Sequence, residues 1–401
     1  MDFQLWYLLA LPALFAFGWW ARGHEAGVRT GDGGDAAALS RGLNLLLNDE
    51  ADKAIDAFVG IARLDPGTIE LHYALGNLFR RRGEFDRAVR VHAYLLGRSD
   101  LPAAEREHAL AQLSQDYLKG GMLDRAEGGF TQLLDSPGYR AEAMRALLRV
   151  HAMERDWGRA MERARDLERE AGESHRVAIS HYLCELALRD AAAGDGAAAG
   201  ARLAEALAAR QGSVRAHILL GEIAERAGDR AGALRHWTLL ATDAPAHFPL
   251  IAAKWSAALD REGRRAEALE QLRARLASAP SVDLLEACVA RVREWEGAEA
   301  AEELLRNHLR ENPSILGFER LLAVRAEQNP GEAVLESLRG LLATHSRRIG
   351  RYRCGQCGFR MRTYSWQCPG CGGWETYAPR RIEELDAAEG SSLSPGGAGM
   401  R

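Results

Sequence analysis

Apolar residues recur every three to four positions along most of the chain, which is the spacing of one buried face of an α-helix. The pattern continues from about residue 35 to residue 345 and is interrupted by short breaks at regular intervals. The register is clearest around Leu75, Phe79, Gly83, Phe85 and Ala88, where small and aromatic positions flank a turn glycine. This pattern predicts paired helices that are joined by tight turns.

A small residue marks the second helix of each predicted pair and recurs at intervals of 33 to 39 residues. The marker residues are Ala54, Ala88, Ala126, Ala160, Ala199, Ala233, Ala268 and Ala301. Intervals close to 34 residues are typical of the tetratricopeptide repeat, a helix–turn–helix unit. The sequence therefore predicts an all-α solenoid over residues 35–345, with eight units and a weaker ninth near Ala333.

The amino-terminal segment is predicted to cross a membrane. Phe3 to Ala21 form a 19-residue stretch with one strongly polar side chain, Gln4. A helix of this length spans roughly 28 Å, close to the hydrocarbon thickness of a bilayer. We expect a permanent transmembrane helix over residues 1–21 and a glycine-rich tether over residues 22–34. Arg22 and Arg29 follow the span, so the positive-inside rule predicts a cytoplasmic location for the rest of the chain.

Composition and motifs narrow the function classes. The formal charge is −4 with 27% charged and 47% apolar residues, which argues against a disordered chain and against a strongly basic nucleic-acid binder. The sequence contains no Walker A loop, no Gly-x-Ser-x-Gly elbow and no His-Glu-x-x-His pair. We therefore expect a protein without enzymatic activity.

The strongest chemical signal is a pair of Cys-x-x-Cys turns formed by Cys354, Cys357, Cys368 and Cys371. Each turn directs two thiolates toward one point, and two such turns can close a tetrahedral site for zinc or iron. Disulfide pairing and free thiols are the alternatives. Four cysteine ligands leave no open coordination position, so the spacing predicts a structural metal in a module over residues 346–381.

This module has a formal charge of +7, because eight arginines stand against Glu375 alone. The arginines are Arg347, Arg348, Arg351, Arg353, Arg360, Arg362, Arg380 and Arg381. A basic surface can bind nucleic acid, an anionic membrane or an acidic protein, or it can dock onto acidic repeats of the same chain. From residue 382 to residue 401 the sequence becomes rich in Gly, Ser and Pro, and we expect a disordered tail.

The arrangement of one span, about nine repeats and a four-cysteine module resembles the lipopolysaccharide assembly protein B family. The resemblance covers nearly the full chain and is most specific in three stretches: Leu75–Arg80 with Gly83-Glu84, His181-Tyr182 with Cys184–Leu188, and Tyr352 through Cys371. The tether and the tail depart from the family pattern. The resemblance implies a rubredoxin-like fold for the four-cysteine module.

The resemblance also implies a role and a location. Members of the family are inner-membrane proteins that face the cytoplasm and regulate lipopolysaccharide synthesis. They are thought to present the LpxC deacetylase to the FtsH membrane protease, under the control of a membrane-embedded partner. We therefore expect an adaptor of this kind. Two alternatives are an electron-transfer protein with iron in the cysteine site and a nucleic-acid scaffold that uses the arginine-rich module.

A concave face of the repeats is the predicted partner-binding surface, because solenoids offer extended concave surfaces to other proteins. The repeat register assigns to this face Tyr73, Asn77, Arg80, Arg81, His108, Gln115, Lys119, Arg145 and Arg149. We refer to these residues as the trough. Their positive bias suits an acidic partner segment, and we expect charge reversal at Arg80 and Arg145 to weaken binding without a loss of stability.

Overall fold

The computed structural model describes residues 69–392. The predicted transmembrane helix, the tether, the first repeat with its marker Ala54 and the end of the tail lie outside these residues. Within the described part of the chain, every helix is too short or too polar to cross a bilayer.

The chain divides into two compact units, residues 1–173 and residues 174–401. The described helices of the first unit are α1 (Ile69–Arg81), α2 (Phe85–Leu96), α3 (Ala103–Lys119), α4 (Leu123–Leu133), α5 (Arg140–Met153) and α6 (Trp157–Glu170). They form three helix pairs of the kind that the repeat pattern predicts.

The second unit contains five further helix pairs, followed by a small metal-binding module. Its paired helices are α7 (Arg176–Ala192), α8 (Gly196–Ala209), α9 (Val214–Arg226), α10 (Arg230–Asp243), α11 (Ala252–Arg261), α12 (Arg265–Ser278), α13 (Val282–Glu296), α14 (Ala298–Glu311), α15 (Ile315–Gln328) and α16 (Ala333–Ile349). A short 3₁₀ helix, Pro245–Leu250, lies between α10 and α11.

The marker alanines of the described repeats are buried, with one exception. The described markers that are at most 1% exposed are Ala88, Ala126, Ala160, Ala199, Ala233, Ala268 and Ala301. Small buried residues are expected where paired helices pack closely against each other. Ala333 is exposed at the first residue of α16, which explains why the ninth unit gives a weaker pattern.

The turns within the pairs follow from glycine and aspartate chemistry. Gly194 and Gly228 adopt positive φ angles of 87° and 83°, a conformation that side chains strongly disfavour. The next residue in each turn, Asp195 or Asp229, accepts a hydrogen bond of 2.8 Å from a backbone N–H in the first turn of the following helix. The glycine therefore ends one helix, and the aspartate begins the next.

Large side chains fill the core of the second unit. Trp237, Trp255 and Phe248 are almost completely buried, and burial of each contributes about 2 to 3 kcal/mol. The indole N–H of Trp237 donates to the carbonyl oxygen of Ile218 at 3.3 Å, so its polar atom keeps a partner. This core provides a rigid support for the module that follows.

The module, which we call the ribbon, spans residues 350–381 and contains two short strands. Strand β1 (Tyr352–Arg353) pairs antiparallel with β2 (Arg360–Met361). Single bridges join Cys354 to Tyr377 and Gln367 to Trp374. The described chain is therefore a helical repeat array with one small β-structured module at its carboxyl end.

A last helix, α17 (Ile382–Ser392), follows the ribbon. The expectation of disorder from residue 382 is wrong for this segment. Ile382 is only 4% exposed, and Glu383 and Glu384 bind backbone N–H groups of the repeats. These two contacts hold the first turn of α17 against the array.

Candidate metal centre and its docking surface

The two Cys-x-x-Cys turns of the ribbon have the same backbone geometry. In the first, Cys354 donates its backbone N–H to Phe359 O at 2.9 Å, and its carbonyl oxygen accepts from Gly358 at 3.0 Å. In the second, Cys368 donates to Gly373 O and accepts from Gly372, both at 2.8 Å. This repeated pattern directs the four sulfurs toward a common centre.

The spacing of the sulfurs fits a tetrahedral metal ion. The Sγ atoms of Cys354 and Cys371 are 3.9 Å apart, and those of Cys357 and Cys368 are 3.6 Å apart. All four sulfurs lie within 4.8 Å of one another. A Zn–S bond of about 2.3 Å in a regular tetrahedron requires sulfur separations of about 3.8 Å. The four predicted ligands are therefore brought together at a distance suited to one ion.

The thiol acidities differ between the two cysteines of the first turn. Burial raises the pKa of Cys354, but hydrogen bonds from Thr376 and from backbone N–H groups outweigh it and lower this pKa to about 6. The Phe359 backbone N–H lowers the pKa of Cys357, but burial and the other cysteines raise it to about 12. Four thiolates repel one another, and a divalent cation at the centre compensates for that repulsion.

Aromatic stacking joins the ribbon to the repeats of its own unit. The imidazole of His181, on α7, lies parallel to the indole of Trp374, with ring centroids 4.5 Å apart and an interplanar angle of 9°. Tyr182 meets the same indole edge-on, and the Trp366 ring lies near the rings of His181 and His247, with centroids 5.7 Å and 6.3 Å away. Two ribbon tryptophans are thus covered by residues of the repeats.

Glu375, the next ribbon residue, binds two basic side chains of the repeats. His181 Nε2 lies 3.1 Å from the carboxylate, and Arg210 forms an ion pair with it. Burial alone would raise the pKa of Glu375, but hydrogen bonds from His181 and Arg210 lower it to about 2. Burial lowers the pKa of His181. We call the contacts of Glu375 with His181 and Arg210 the carboxylate latch.

A second contact lies on α13. Asp283 accepts a hydrogen bond of 2.5 Å from the hydroxyl of Tyr352 and forms an ion pair of 2.6 Å with Arg381. Arg381 also lies over the Tyr352 ring, 4.3 Å from its centroid. One repeat carboxylate therefore fixes both ends of the ribbon.

The ribbon docks on the repeats, but not mainly through the basic surface that the composition suggested. Among the eight arginines of the module, Arg381 pairs with an acid of the paired repeat helices, Asp283. The single acid of the module, Glu375, binds basic side chains of α7 and of the residue after α8. Arg353 pairs with Asp386 of α17 at 3.2 Å. Most of the positive charge is not used in docking.

The trough residues lie in the first unit, and Arg80 is not the free cation that we expected. It donates to the backbone oxygen of Gln112 and to Asp116, both at 3.1 Å. Asp116 is completely buried and also binds His92 Nδ1 at 2.5 Å. Reversal of charge at Arg80 would place two carboxylates together in the interior. The contacts therefore predict that this change lowers stability, against the expectation from the sequence.

Other trough residues are also held by neighbours. The Tyr73 hydroxyl donates to Glu105 at 3.1 Å, and Gln115 donates to Glu142 at 3.2 Å. Arg145 is exposed and forms an ion pair of 2.5 Å with Glu173. The last three cationic members of the trough, Arg81, Lys119 and Arg149, are exposed. Their role in partner binding remains a prediction.

A family model for a rubredoxin metal-binding domain matches residues 352–379. The chain is 33% identical to Lipopolysaccharide assembly protein B of Escherichia coli K12 over 387 residues, which are 94% of this chain and 98% of that protein. The chain belongs to the lipopolysaccharide assembly protein B family. The member from Haemophilus influenzae is 28% identical over 399 residues, which cover 95% of this chain and 99% of that protein. The resemblance drawn from the sequence is confirmed.

Solved structures of other proteins are also similar to this member of the lipopolysaccharide assembly protein B family. Pseudomonas aeruginosa PilF gives a TM-score of 0.31 at 16% identity and covers 55% of this chain and 97% of its own. A tetratricopeptide repeat protein of Parabacteroides merdae gives 0.25 at 13% identity, covering 77% and 98%. The repeat assignment rests on the buried alanines and turn glycines of this chain itself.

The residues of the carboxylate latch were not identified as functional from the sequence. His181 and Tyr182 stood out only as part of the family resemblance, and Glu375 only as the lone acid of a basic module. Arg210 gave no signal. A tryptophan pair beside the metal ligands, at Trp366 and Trp374, was the one available indication that this side of the ribbon is covered.

Proposed function

We propose that the chain is a membrane-anchored adaptor without enzymatic activity that acts in lipopolysaccharide assembly. The observation that carries this proposal is the match to Lipopolysaccharide assembly protein B over 94% of the chain, which includes both the repeats and the ribbon. The predicted span over residues 1–21 would hold the repeats on the cytoplasmic side of the inner membrane.

In more detail, the adaptor would present an LpxC-type deacetylase to an FtsH-type membrane protease, and a membrane-embedded regulator would restrain it. Helical repeats suit this role because their faces can bind an extended segment or a folded client. The exposed cations Arg81, Lys119 and Arg149 are the trough residues most available to a client.

The ribbon would be a structural zinc module within this adaptor. Cys354, Cys357, Cys368 and Cys371 would hold the ion, which links the two turns and lets a very small core persist. The chain's own residues then do the docking: Trp366 and Trp374 cover apolar surface, and Glu375 and Asp283 fix the orientation. Iron in place of zinc would give a coloured, redox-active protein, so metal analysis with a visible spectrum separates the two.

The test of the adaptor role is the lifetime of the deacetylase in cells. A strain that lacks its own homologue would receive the wild-type chain, the Cys354→Ser variant or an empty vector, and deacetylase would be followed after translation is stopped. We expect a several-fold shorter half-life with the wild-type chain than with the other two. An equal half-life with and without the chain, at normal chain levels, would refute the proposal.

A further inference from the structure

The ribbon carries a group of arginines around its short hairpin, outside the metal site. Arg353 on β1 lies directly opposite Arg360 on β2. Directly opposed residues of an antiparallel pair project from the same face of the sheet. Arg351 and Arg362 lie just outside the two strands, each two residues along the chain from Arg353 or Arg360. We call these four residues the arginine face.

The side chain of Arg381 links the backbone at the two ends of the hairpin, beside Arg351 and Arg362. One nitrogen of Arg381, Nη1, donates to Gly350 O at 2.6 Å and to Arg362 O at 3.1 Å. The residues of the opposite face, Tyr352 and Met361, instead pack into the ribbon core. The hairpin is thus apolar on one side and cationic on the other.

The arginine face has less negative charge around it than it can bind. Arg353 pairs with Asp386, whose side chain is 55% exposed. For Arg351, Arg360 and Arg362, the described side chains include no carboxylate within ion-pair distance. Arg360 and Arg362 are exposed to solvent. Arg351 donates Nε–H to the backbone oxygen of Arg347 at 3.2 Å and keeps its other N–H groups, so all three guanidinium groups retain donors for an anionic partner.

The contact with Asp386 indicates which kind of anion the face accepts. Asp386 belongs to α17, whose first turn also contains Glu383 and Glu384, so an acidic helix of this chain already places one carboxylate on the face. Guanidinium groups bind carboxylates in a planar, two-pronged geometry. Phe359, the neighbour of Arg360 in the chain, is 45% exposed. Proteins that bind membrane surfaces present a larger apolar face. Phe359 is the one large apolar side chain of the ribbon that is exposed to this degree, so the ribbon favours an acidic polypeptide over a membrane surface.

We propose that the arginine face binds an acidic polypeptide segment of a partner protein. This inference deepens the adaptor role proposed above and rests on it for its biological meaning. The binding reaction can be measured by itself. The partner segment would place two or three carboxylates against Arg351, Arg360 and Arg362, beside the position that Asp386 already occupies.

The experiment measures binding of a fluorescein-labelled octaglutamate peptide to the purified full chain in neutral detergent, by fluorescence anisotropy. The variant R351E/R360E/R362E leaves the pair of Arg353 and Asp386 intact. The matched control R189E/R230E/R310E reverses three exposed arginines of the repeats and changes the net charge equally. We expect peptide affinity to fall at least tenfold for the first variant and less than twofold for the control.

Two results would overturn the proposal. One is equal weakening in both variants, which would mean that only net charge matters. The other is binding of phosphatidylglycerol vesicles, but not of the peptide, in an arginine-dependent way. If the first variant loses its metal, R351Q/R360Q/R362Q replaces it and should still weaken binding severalfold. Loss of peptide binding with an unchanged deacetylase half-life would support the arginine face and separate it from the adaptor proposal.

Discussion

His181 and Glu375 illustrate how a buried polar contact can be stable at neutral pH. The His181 ring is completely buried, so burial favours its neutral form. Glu375 is ionised because Arg210 and His181 donate hydrogen bonds to it. The latch is therefore one ion pair, between Glu375 and Arg210, with a neutral imidazole as a second donor. Such a contact gives orientation, while the stacked tryptophan provides the apolar area.

The first prediction concerns Glu375→Gln. This change removes the ion pair and leaves the Arg210 guanidinium beside a neutral amide in place of a carboxylate. We expect the free energy of docking to weaken by about 1 to 2 kcal/mol. Amide hydrogen exchange over residues 366–377 would then speed up by about tenfold. Glu303→Gln, an exposed position on α14, is the control and should change nothing. Equal protection in both variants would contradict a docking role for the carboxylate.

The second prediction is the pH dependence of docking. The folded-state pKa of His181 lies below its ordinary value of 6.5, so the undocked state binds the proton more readily. Neutral His181 therefore stabilises docking above pH 6.5. This contribution is lost as the pH falls below 6.5. Glu375 remains ionised in this range because its pKa is about 2, and the nearby Arg210 and Arg215 also oppose a charge on His181.

Hydrogen exchange at pH 7.5 and pH 5.5, corrected for the intrinsic exchange rate, measures this effect. We expect lower protection of the ribbon at pH 5.5 in the wild-type chain and a flatter response in His181→Gln. Higher protection at pH 5.5 would show that docking favours charged His181 and would reverse the argument.

The third prediction concerns Arg80 in the first unit. Arg80→Glu leaves Asp116 buried without its cation and adds a second carboxylate, so we expect about 3 kcal/mol of destabilisation. Arg149→Glu, at an exposed position, should leave the melting temperature nearly unchanged. Thermal unfolding followed by circular dichroism compares the two. Similar melting temperatures would mean that the contact between Arg80 and Asp116 adds nothing to stability.

At the scale of elements, α17 caps two helices of the repeats. Glu384 accepts the N–H of Val282 at 3.1 Å, in the first turn of α13. Glu383 accepts from Ser314 at 2.9 Å and from Leu316 at 3.2 Å, at the start of α15. Helix amino termini carry unpaired donors and partial positive charge, so carboxylates stabilise them. A nonlocal acid therefore supplements the local serine cap of α15.

The fourth prediction follows from this capping. Glu383→Ala removes the acceptor from the first turn of α15, and we expect a loss of about 1 kcal/mol in the second unit. The measurement is chemical denaturation monitored by tryptophan fluorescence, because the ribbon tryptophans report on this unit. Glu332→Ala, an exposed residue before α16, serves as control. An unchanged midpoint in Glu383→Ala would show that Ser314 alone caps α15.

Elements made by local periodicity were predictable from the sequence, and those made by distant pairing were not. The marker alanines and turn glycines repeat along the chain, so Ala126 and Gly228 could each be placed by counting. The latch joins His181 to Glu375 across 194 residues without any periodic signal. The ion pair between Arg80 and Asp116 was missed for the same reason, because Asp116 lies in the next helix pair.

The same distinction holds for the metal centre. The four ligands were predictable because two Cys-x-x-Cys turns close together have few other uses. The surface that the ribbon presents to the repeats was not predictable, because it depends on the contacts of Trp366 and Trp374 with His181. Helix α17 was missed because its composition changes gradually into the Gly- and Ser-rich tail, and its order depends on caps that it makes with distant helices.

At the scale of the whole second unit, the metal centre and the repeat helices stabilise each other. The ribbon core has four fully buried residues, Tyr352, Cys354, Cys368 and Tyr377. A core of this size does not hold together without a metal or a support. The repeats provide the support through Asp283 and the latch, and the ribbon with α17 in turn covers α7 and caps α13 and α15.

The last prediction is that metal removal propagates into the repeats of this unit. Chelation should unfold the ribbon, release Glu375 from His181 and withdraw the caps from α13 and α15. We expect faster hydrogen exchange over residues 352–379 and at the amides of Val282 and Leu316, whereas helices α1–α6 keep their protection. The variant Cys354→Ser should reproduce this pattern without a chelator. If exchange increases only inside the ribbon, the docking contacts do not depend on the metal, and the two parts of the unit fold independently.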